Sequence, residues 1–167
     1  MTRIYENRNI WRRSWGLSGF LVVIIFYGIW ELYRAAYAPD ATTGATFGVL
    51  FIGGAIYALY QLYNDYRDVV ATLDRDDATG GFVVAIWQPT GPMTLTATAS
   101  DLGNWRSYVK MVGRTNRQFY VYADLTGYPR PLRFELKPKT DTAGLGAIAP
   151  EAVAPFETAT GRAKPAA

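Results

Sequence analysis

The sequence predicts an α+β membrane protein: a two-helix transmembrane hairpin followed by a small antiparallel β-sheet or half-barrel domain of about six strands. Two long apolar runs lie between Ser14 and Tyr63, separated by the short polar turn Ala38–Gly44. Each run approaches the roughly 20 residues that a helix needs to cross a hydrocarbon layer about 30 Å thick. After Asn64 apolar residues alternate with polar ones, which is the pattern of strands rather than helices.

These patterns divide the chain into successive segments. Residues 1–13 form a cytoplasmic arm, and residues 14–66 form the hairpin, with helices at about 14–35 and 45–64. Residues 67–139 form a cytoplasmic β domain. Residues 140–167 are a tail rich in Ala, Pro and Thr, which we expect to be disordered because it holds few large apolar side chains.

The distribution of arginine sets the expected orientation. Residues 1–13 hold four arginines, the connection 35–46 holds no Lys or Arg, and Arg67 and Arg75 follow the second helix. The positive-inside rule then places both termini in the cytoplasm, and we expect a multi-pass protein of the bacterial inner membrane. Ala36-Tyr37-Ala38 also resembles a signal-peptide cleavage site, but the length of the first run and the presence of the second favour a span.

Six segments carry the strand pattern. Apolar residues alternate with threonine in Met93–Ala99 and with charged residues in Leu132–Lys137. The links between the segments are short and rich in Gly, Pro, Asn and Asp, which favours an antiparallel meander. The four less regular segments are Val69–Arg75, Phe82–Trp87, Arg106–Val112 and Gln118–Asp124.

The sequence contains no cysteine and no histidine. This excludes disulfides, thiolate nucleophiles, thiolate or imidazole metal sites and catalytic triads that need His. Asp74 and Asp76 have the spacing of a calcium loop, but Ala78 and Thr79 stand where that loop needs an oxygen ligand and a glycine. We therefore expect no enzyme, no cofactor, no metal and no small-molecule substrate. The modest positive charge also gives little support for nucleic-acid binding.

The second apolar run carries small residues in two pairs with small-x-x-x-small spacing, followed by tyrosines at intervals of three. This spacing lets two helix backbones approach closely. The partner is either the first helix of this chain or a transmembrane helix of another protein, and the deeper tyrosines can donate hydrogen bonds to a subunit or a lipid. The candidate residues for packing on a partner helix are Gly44, Gly48, Gly54, Tyr57, Ala58 and Tyr60.

A second candidate surface is basic. Lys and Arg occupy outward positions of the last three predicted strands and their turns, where tyrosines share the face. Beside a membrane, such a surface attracts anionic lipid; the alternatives are a solvated sheet face or a docking face for another subunit. The cations are Arg106, Lys110, Arg114, Arg117, Arg133 and Lys137, and the tyrosines are Tyr108, Tyr120 and Tyr122.

Two helices followed by a small β domain resemble the architecture of bacterial membrane proteins that carry pleckstrin-like domains. The resemblance covers the order of the elements over most of the chain. We expect a non-catalytic accessory or assembly subunit of a larger inner-membrane complex, docking on integral membrane subunits through its hairpin, β domain and tail. The alternative is a membrane-tethered pleckstrin-like module that binds anionic lipid headgroups.

Overall fold

The computed structural model describes residues 1–8, 10–37, 41–88, 91–112, 114 and 116–162. The chain divides into two compact units. One is a helical unit, Asn9–Tyr66, and the other is a β domain built from Met1–Arg8 together with Arg67–Ala167. In sequence, the helical unit is therefore inserted into the β domain.

The helical unit consists of two long helices, α1 (Ile10–Tyr37, 28 residues) and α2 (Ala41–Tyr66, 26 residues). At about 1.5 Å per residue, both exceed the roughly 30 Å of a hydrocarbon core. Each contains a 25-residue stretch apolar enough to cross a membrane, and only 11% of its most apolar window is buried inside the structure. The prediction of two long apolar helices is confirmed. Of the predicted turn, residues 38–40 lie outside the described residues, and the rest belongs to α2.

The described part of the β domain contains seven strands. Six of them correspond to the six predicted strands, and the first lies in the segment predicted to be a polar arm. The strands are β1 (Thr2–Glu6), β2 (Val70–Arg75), β3 (Phe82–Ile86), β4 (Met93–Ala97), β5 (Leu102–Val112), β6 (Asn116–Leu125) and β7 (Leu132–Leu136).

The strands form two antiparallel sheets, whereas the sequence predicts one sheet or half-barrel. The four-stranded sheet has the order β1-β2-β3-β4, and the three-stranded sheet has the order β5-β6-β7. The division between β4 and β5 is invisible in the sequence, because the link there is as short as those within each sheet. The inward faces of both sheets share one hydrophobic core, in which Val84, Val121 and Phe134 are fully buried.

Strand β1 changes the interpretation of residues 1–13. It pairs antiparallel with β2, so that Glu6 lies opposite Thr72, and the Arg3 guanidinium forms an ion pair with Asp74. Ile4 and Tyr5 are buried in the core. The first residues of the predicted arm are thus an edge strand of the β domain.

The expected disorder of the tail is wrong for most of its length. Two helices occupy it, α3 (Ala143–Ile148) and α4 (Pro150–Thr160). Leu145 and Phe156 are buried in the core, and the Phe156 ring lies edge-on to Phe119 with 5.5 Å between ring centroids. The few apolar residues of this segment suffice because they converge on a core that the sheets have already formed.

Candidate functional site

The first pair of small residues in α2 packs against α1. A Cβ atom placed on Gly48 would lie 2.6 Å from Leu32 Cγ and 2.8 Å from the carbonyl oxygen of Gly28. A Cβ atom on Gly44 would lie 3.1 Å from the Ala35 Cβ. Of the two partners that the sequence allows, α1 is therefore the partner of this pair. Gly48 is buried in this contact and Gly44 is half-buried.

Gly54 lies outside that contact. No described atom of a neighbouring element lies within 4 Å of a Cβ placed on it. Leu50, Tyr57 and Gln61 are also exposed and lie on the same side of α2 as Gly54, at helical spacings of three and four residues. We call Leu50, Gly54, Tyr57 and Gln61 the outward stripe. Gln61 Nε2 donates a hydrogen bond of 2.7 Å to the Tyr57 hydroxyl, so the stripe joins a small residue to a polar pair.

The remaining two predicted residues of α2 differ in their surroundings. Tyr60 is 61% exposed and extends the aromatic surface beside Tyr57. Ala58 is half-buried, so it contributes less to the outward surface than its spacing from Gly54 suggests. The predicted partner-helix residues therefore separate into a pair used within the hairpin and a group that faces outward.

Glu31 is the buried carboxylate of the helical unit, with 8% of its surface exposed. Arg34 Nε lies 3.8 Å from Glu31 Oε2. Both side chains, together with Tyr27, Thr42 and Thr43, line an open cavity of about 670 Å³. The ion-pair partner of Glu31 thus lies on α1, one turn away in the same helix.

The second candidate surface lies on the three-stranded sheet, on the face turned away from the core. Arg106 lies opposite Tyr122 on the neighbouring strand, and Tyr122 lies opposite Arg133. Tyr108 and Tyr120 form the next row. Since directly opposite residues of antiparallel strands share a face, these five side chains occupy one surface.

The three tyrosines of this face form a cluster. Their ring centroids are 6.1 to 6.5 Å apart. The guanidinium carbon of Arg133 lies over the Tyr120 ring, 5.5 Å from its centroid, which is cation–π geometry. We call Tyr108, Tyr120 and Tyr122 the tyrosine face.

Two further predicted cations are paired with acidic side chains. Arg106 Nη2 lies 2.8 Å from Asp124 Oδ1, and Lys137 Nζ lies 3.0 Å from Glu135 Oε2. Their positive charge is offset locally, which weakens their attraction for a distant anion. Arg106 and Lys137 therefore contribute little to the net positive charge of this surface.

The other three cations lie at the far end of the β5–β6 hairpin. Lys110, Arg114 and Arg117 are exposed and form no ion pair with any residue in the described part of the chain. Arg117 lies opposite Met111 in the strand register, on the face opposite Tyr108 and Lys110. The six predicted cations therefore do not share one face, and only these three combine exposure with the lack of an acidic partner.

Sequence reasoning missed the apolar residues beside these cations. Val109, Met111 and Val112 are 39%, 55% and 39% exposed. The strand pattern alone suggests that alternate residues of β5 are buried. The available signal was the absence of Asp and Glu from residues 107–123, which marks this hairpin as different from the acidic turns elsewhere.

The acidic turns of the four-stranded sheet serve the fold. Asp76 accepts hydrogen bonds from the Thr79 hydroxyl at 2.7 Å and the Ala78 amide at 3.1 Å. Asp101 likewise accepts from the hydroxyl and amide of Thr98 at 2.6 and 2.9 Å. These bonds hold the pKa of both carboxyls below the ordinary value, so both are ionised at neutral pH and neither is set up as a proton donor. Among the residues that the structure describes, no cluster of three or more acidic side chains could hold a metal ion.

Comparison with known proteins adds no family. A scan against protein-family models and a search among curated proteins both find no match to this chain.

Proposed function

We propose that the chain is an integral protein of the bacterial inner membrane, with α1 and α2 as its two spans and both termini in the cytoplasm. Several observations support this. Among the described residues, only 11% of the most apolar window of each helix is buried. Trp15 near one end of α1, and Trp30 and Tyr33 near the other, are exposed, as expected of aromatic belts at the two membrane interfaces. The arginines at the N-terminus favour the stated orientation.

We propose further that the chain is a non-catalytic accessory or assembly subunit that packs on other integral membrane proteins. The outward stripe is the observation that carries this proposal. In hydrocarbon, apolar side chains give no net drive for helix association, whereas close packing at small residues and interhelical hydrogen bonds do. Gly54 leaves room for the backbone of a partner helix, and Tyr57 and Gln61 supply polar groups about one and two turns further along. A simple anchor has no need of either feature.

The chemistry of the partner follows from the stripe. It is a transmembrane helix with a small residue at the level of Gly54 and a hydrogen-bonding side chain at the level of Tyr57 and Gln61. The absence of Cys and His from the sequence supports a binding role over a catalytic one.

Extraction in a mild detergent followed by affinity purification tests the proposal. The unaltered chain should bring down integral membrane proteins in a fixed ratio. Gly54→Leu fills the gap in the stripe and should lower their recovery about tenfold, which corresponds to losing about 1.4 kcal/mol of helix packing.

Gly19→Leu is the matched control. Gly19 lies on α1, and no described atom of a neighbouring element lies within 4 Å of a Cβ placed on it, so the substitution adds the same bulk away from the stripe. It should leave the recovered proteins unchanged. Recovery of the chain alone from gentle extraction, or equal losses in both variants, would contradict the proposal.

A further inference from the structure

The far end of the β5–β6 hairpin projects beyond the rest of its sheet. The two strands remain paired as far as Val112 and Asn116. Strand β7 accompanies β6 only as far as Phe119, which lies opposite Leu136. The last part of the hairpin is therefore a two-stranded ribbon without a third strand. We call residues 109–112, 114, 116 and 117 the hairpin tip.

The tip exposes apolar side chains on both faces of the ribbon. Val109 and Met111 lie on one face, and Val112 lies on the other, because successive residues of a strand alternate in direction. All three are more than a third exposed. Folding of the β domain therefore leaves a substantial part of each side chain exposed, and this apolar surface can contact a bilayer or another molecule.

The same tip concentrates positive charge. Lys110, Arg114 and Arg117 lie among the apolar side chains, and residues 107–123 contain no Asp or Glu. None of these three cations forms an ion pair within the described residues. A surface that combines unpaired cations with uncovered apolar groups matches the headgroup layer of an anionic membrane, where phosphates lie directly above acyl chains.

We propose that the hairpin tip inserts into the headgroup layer of an anionic lipid bilayer. Lys110, Arg114 and Arg117 contact lipid phosphates while Met111 and its apolar neighbours reach the upper acyl chains. The arrangement favours a bilayer over a protein groove, because a groove covers one face of a ribbon and the apolar side chains here occupy both. On one side, the tyrosine face continues the surface with amphipathic rings of the kind that settle at headgroup level.

This inference goes beyond the subunit proposal and needs no partner protein. If the tip does not bind lipid, the proposal that the outward stripe of α2 packs on a partner helix is unaffected. Failure of the co-purification experiment likewise says nothing about the tip, since the experiment below uses the purified chain and lipid alone.

The natural absence of cysteine allows a direct test on the full chain. Met111→Cys provides a single attachment point for an environment-sensitive fluorophore at the tip. In the first arrangement, the labelled chain is reconstituted into phosphatidylcholine bilayers with or without phosphatidylglycerol. In the second, separate phosphatidylglycerol vesicles are added to the chain reconstituted in phosphatidylcholine, so that the tip can contact a second bilayer. In at least one of these arrangements, anionic lipid should blue-shift the emission and allow quenching by brominated acyl chains, and salt should reverse both effects. The same label on Ala99→Cys, in the exposed turn after β4, should not respond.

Charge reversal then separates the tip from the general charge of the protein. Arg114→Glu with Arg117→Glu, in the Met111→Cys chain, should weaken the response to phosphatidylglycerol by about 30-fold or more, since each cation near an anionic surface raises affinity about fivefold. Arg130→Glu with Lys139→Glu makes the same change in net charge outside the tip and should have a much smaller effect.

Three results would overturn the inference. One is that phosphatidylglycerol changes neither the emission nor the quenching of the fluorophore at position 111 in either arrangement. Another is an equal loss in the two charge-reversed chains. The third is a spectral shift that requires a co-purified protein rather than anionic lipid, which would assign the tip to a protein partner.

Discussion

The Tyr5 hydroxyl joins the two sheets of the β domain. It donates a hydrogen bond of 2.9 Å to the Glu135 carbonyl and accepts one of 3.0 Å from the Glu135 amide. Its ring is 1% exposed and lies edge-on to Phe134, with 5.2 Å between centroids. A side chain of β1 thus hydrogen-bonds both backbone groups of a buried residue in β7.

Tyr5→Phe should lower the free energy of unfolding of the β domain by about 1–3 kcal/mol, because the ring is kept while a buried amide and carbonyl lose their partner. Urea titration of the full chain in detergent, followed by tryptophan fluorescence, measures the change. Tyr108→Phe removes an exposed hydroxyl and should stay within about 0.5 kcal/mol. Equal effects of the two substitutions would show that the hydroxyl of Tyr5 does not hold the sheets together.

The two variants should also differ in alkaline solution. Burial raises the pKa of Tyr5 above the ordinary value of about 10. Below pH 10 the folded and unfolded chains both keep this proton, so the burial has no effect on the pH dependence of stability. Above about pH 10 the unfolded chain releases it first, and stability falls as the pH rises. Tyr5→Phe should lose this part of the alkaline destabilisation, and Tyr108→Phe should retain it.

Among the elements, the α1–α2 hairpin depends on close contact at Gly48. Gly48→Leu places carbon atoms where Leu32 and the Gly28 carbonyl already lie, so the helices must separate locally. Overpacking of this kind costs about 1–3 kcal/mol. Pyrene labels on Ala35→Cys and Gly44→Cys, at the contact between the helices, should form an excimer while the helices pack together. Titration with SDS should abolish the excimer at a lower SDS fraction in Gly48→Leu than in the parent.

Gly53→Leu provides the matched control within α2. No described atom of a neighbouring element lies within 4 Å of a Cβ at position 53, so the excimer should be lost at the parental SDS fraction. If Gly48→Leu also kept the excimer up to that fraction, the packing of the two helices at Gly48 would be refuted.

The elements that sequence predicts correctly are those with a local signal. The long apolar runs of α1 and α2 need no knowledge of their neighbours, and alternation in segments such as Leu132–Lys137 marks a strand wherever it pairs. Strand β1 and helix α4 lack such a signal. Tyr5 hydrogen-bonds to a residue 130 positions away, and Phe156 packs on Phe119. These long-range contacts hold β1 and α4 in place, and the local periodicity of the sequence does not reveal them.

The candidate surfaces were predictable to a similar extent. The spacing in the sequence identified the small residues of α2, but it could not say whether they pack on α1 or on a helix of another protein. The structure shows that Gly48 packs on α1 and that Gly54 lies outside this contact. Charge identified the cations of the β domain. The pairing of Arg106 with Asp124 and the uncovered state of Met111 depend on strand register and on where β7 ends, neither of which composition encodes.

For the whole molecule, the main consequence is that the β domain is assembled from both sides of the hairpin. Residues 1–8 supply β1, and residues 67–162 supply the rest of its described part. The Asn7 amide donates a hydrogen bond of 2.8 Å to the Ala71 carbonyl, so the end of β1 adjoins the start of β2. A fragment chosen from the apparent domain boundary after the second helix therefore lacks one strand of its own sheet.

The fragment 67–162 alone should be markedly less stable than a fusion of residues 1–8 to residues 67–162 through a short Gly/Ser link. Only the fusion contains Ile4 and Tyr5, whose burial contributes about 1.5–3 kcal/mol each. Only the fusion pairs a strand with the edge of β2 and places the Tyr5 hydroxyl on β7. Thermal unfolding and amide hydrogen exchange compare the two. The fusion should unfold cooperatively with protected amides in β2 and β7, while the shorter fragment exchanges them rapidly.

A fusion carrying Ile4→Asp and Tyr5→Asp separates the contribution of the strand from that of added length. It has the same number of residues but cannot bury charge in the core, so it should behave like the fragment without β1. If fragment 67–162 were as stable as the intact fusion, β1 would be an accessory strand and the hairpin would simply precede a complete domain. We expect the intact fusion to be the most stable of the three proteins. Residues 1–8 would then be part of the core of one cooperative domain, which is built from segments on both sides of the hairpin.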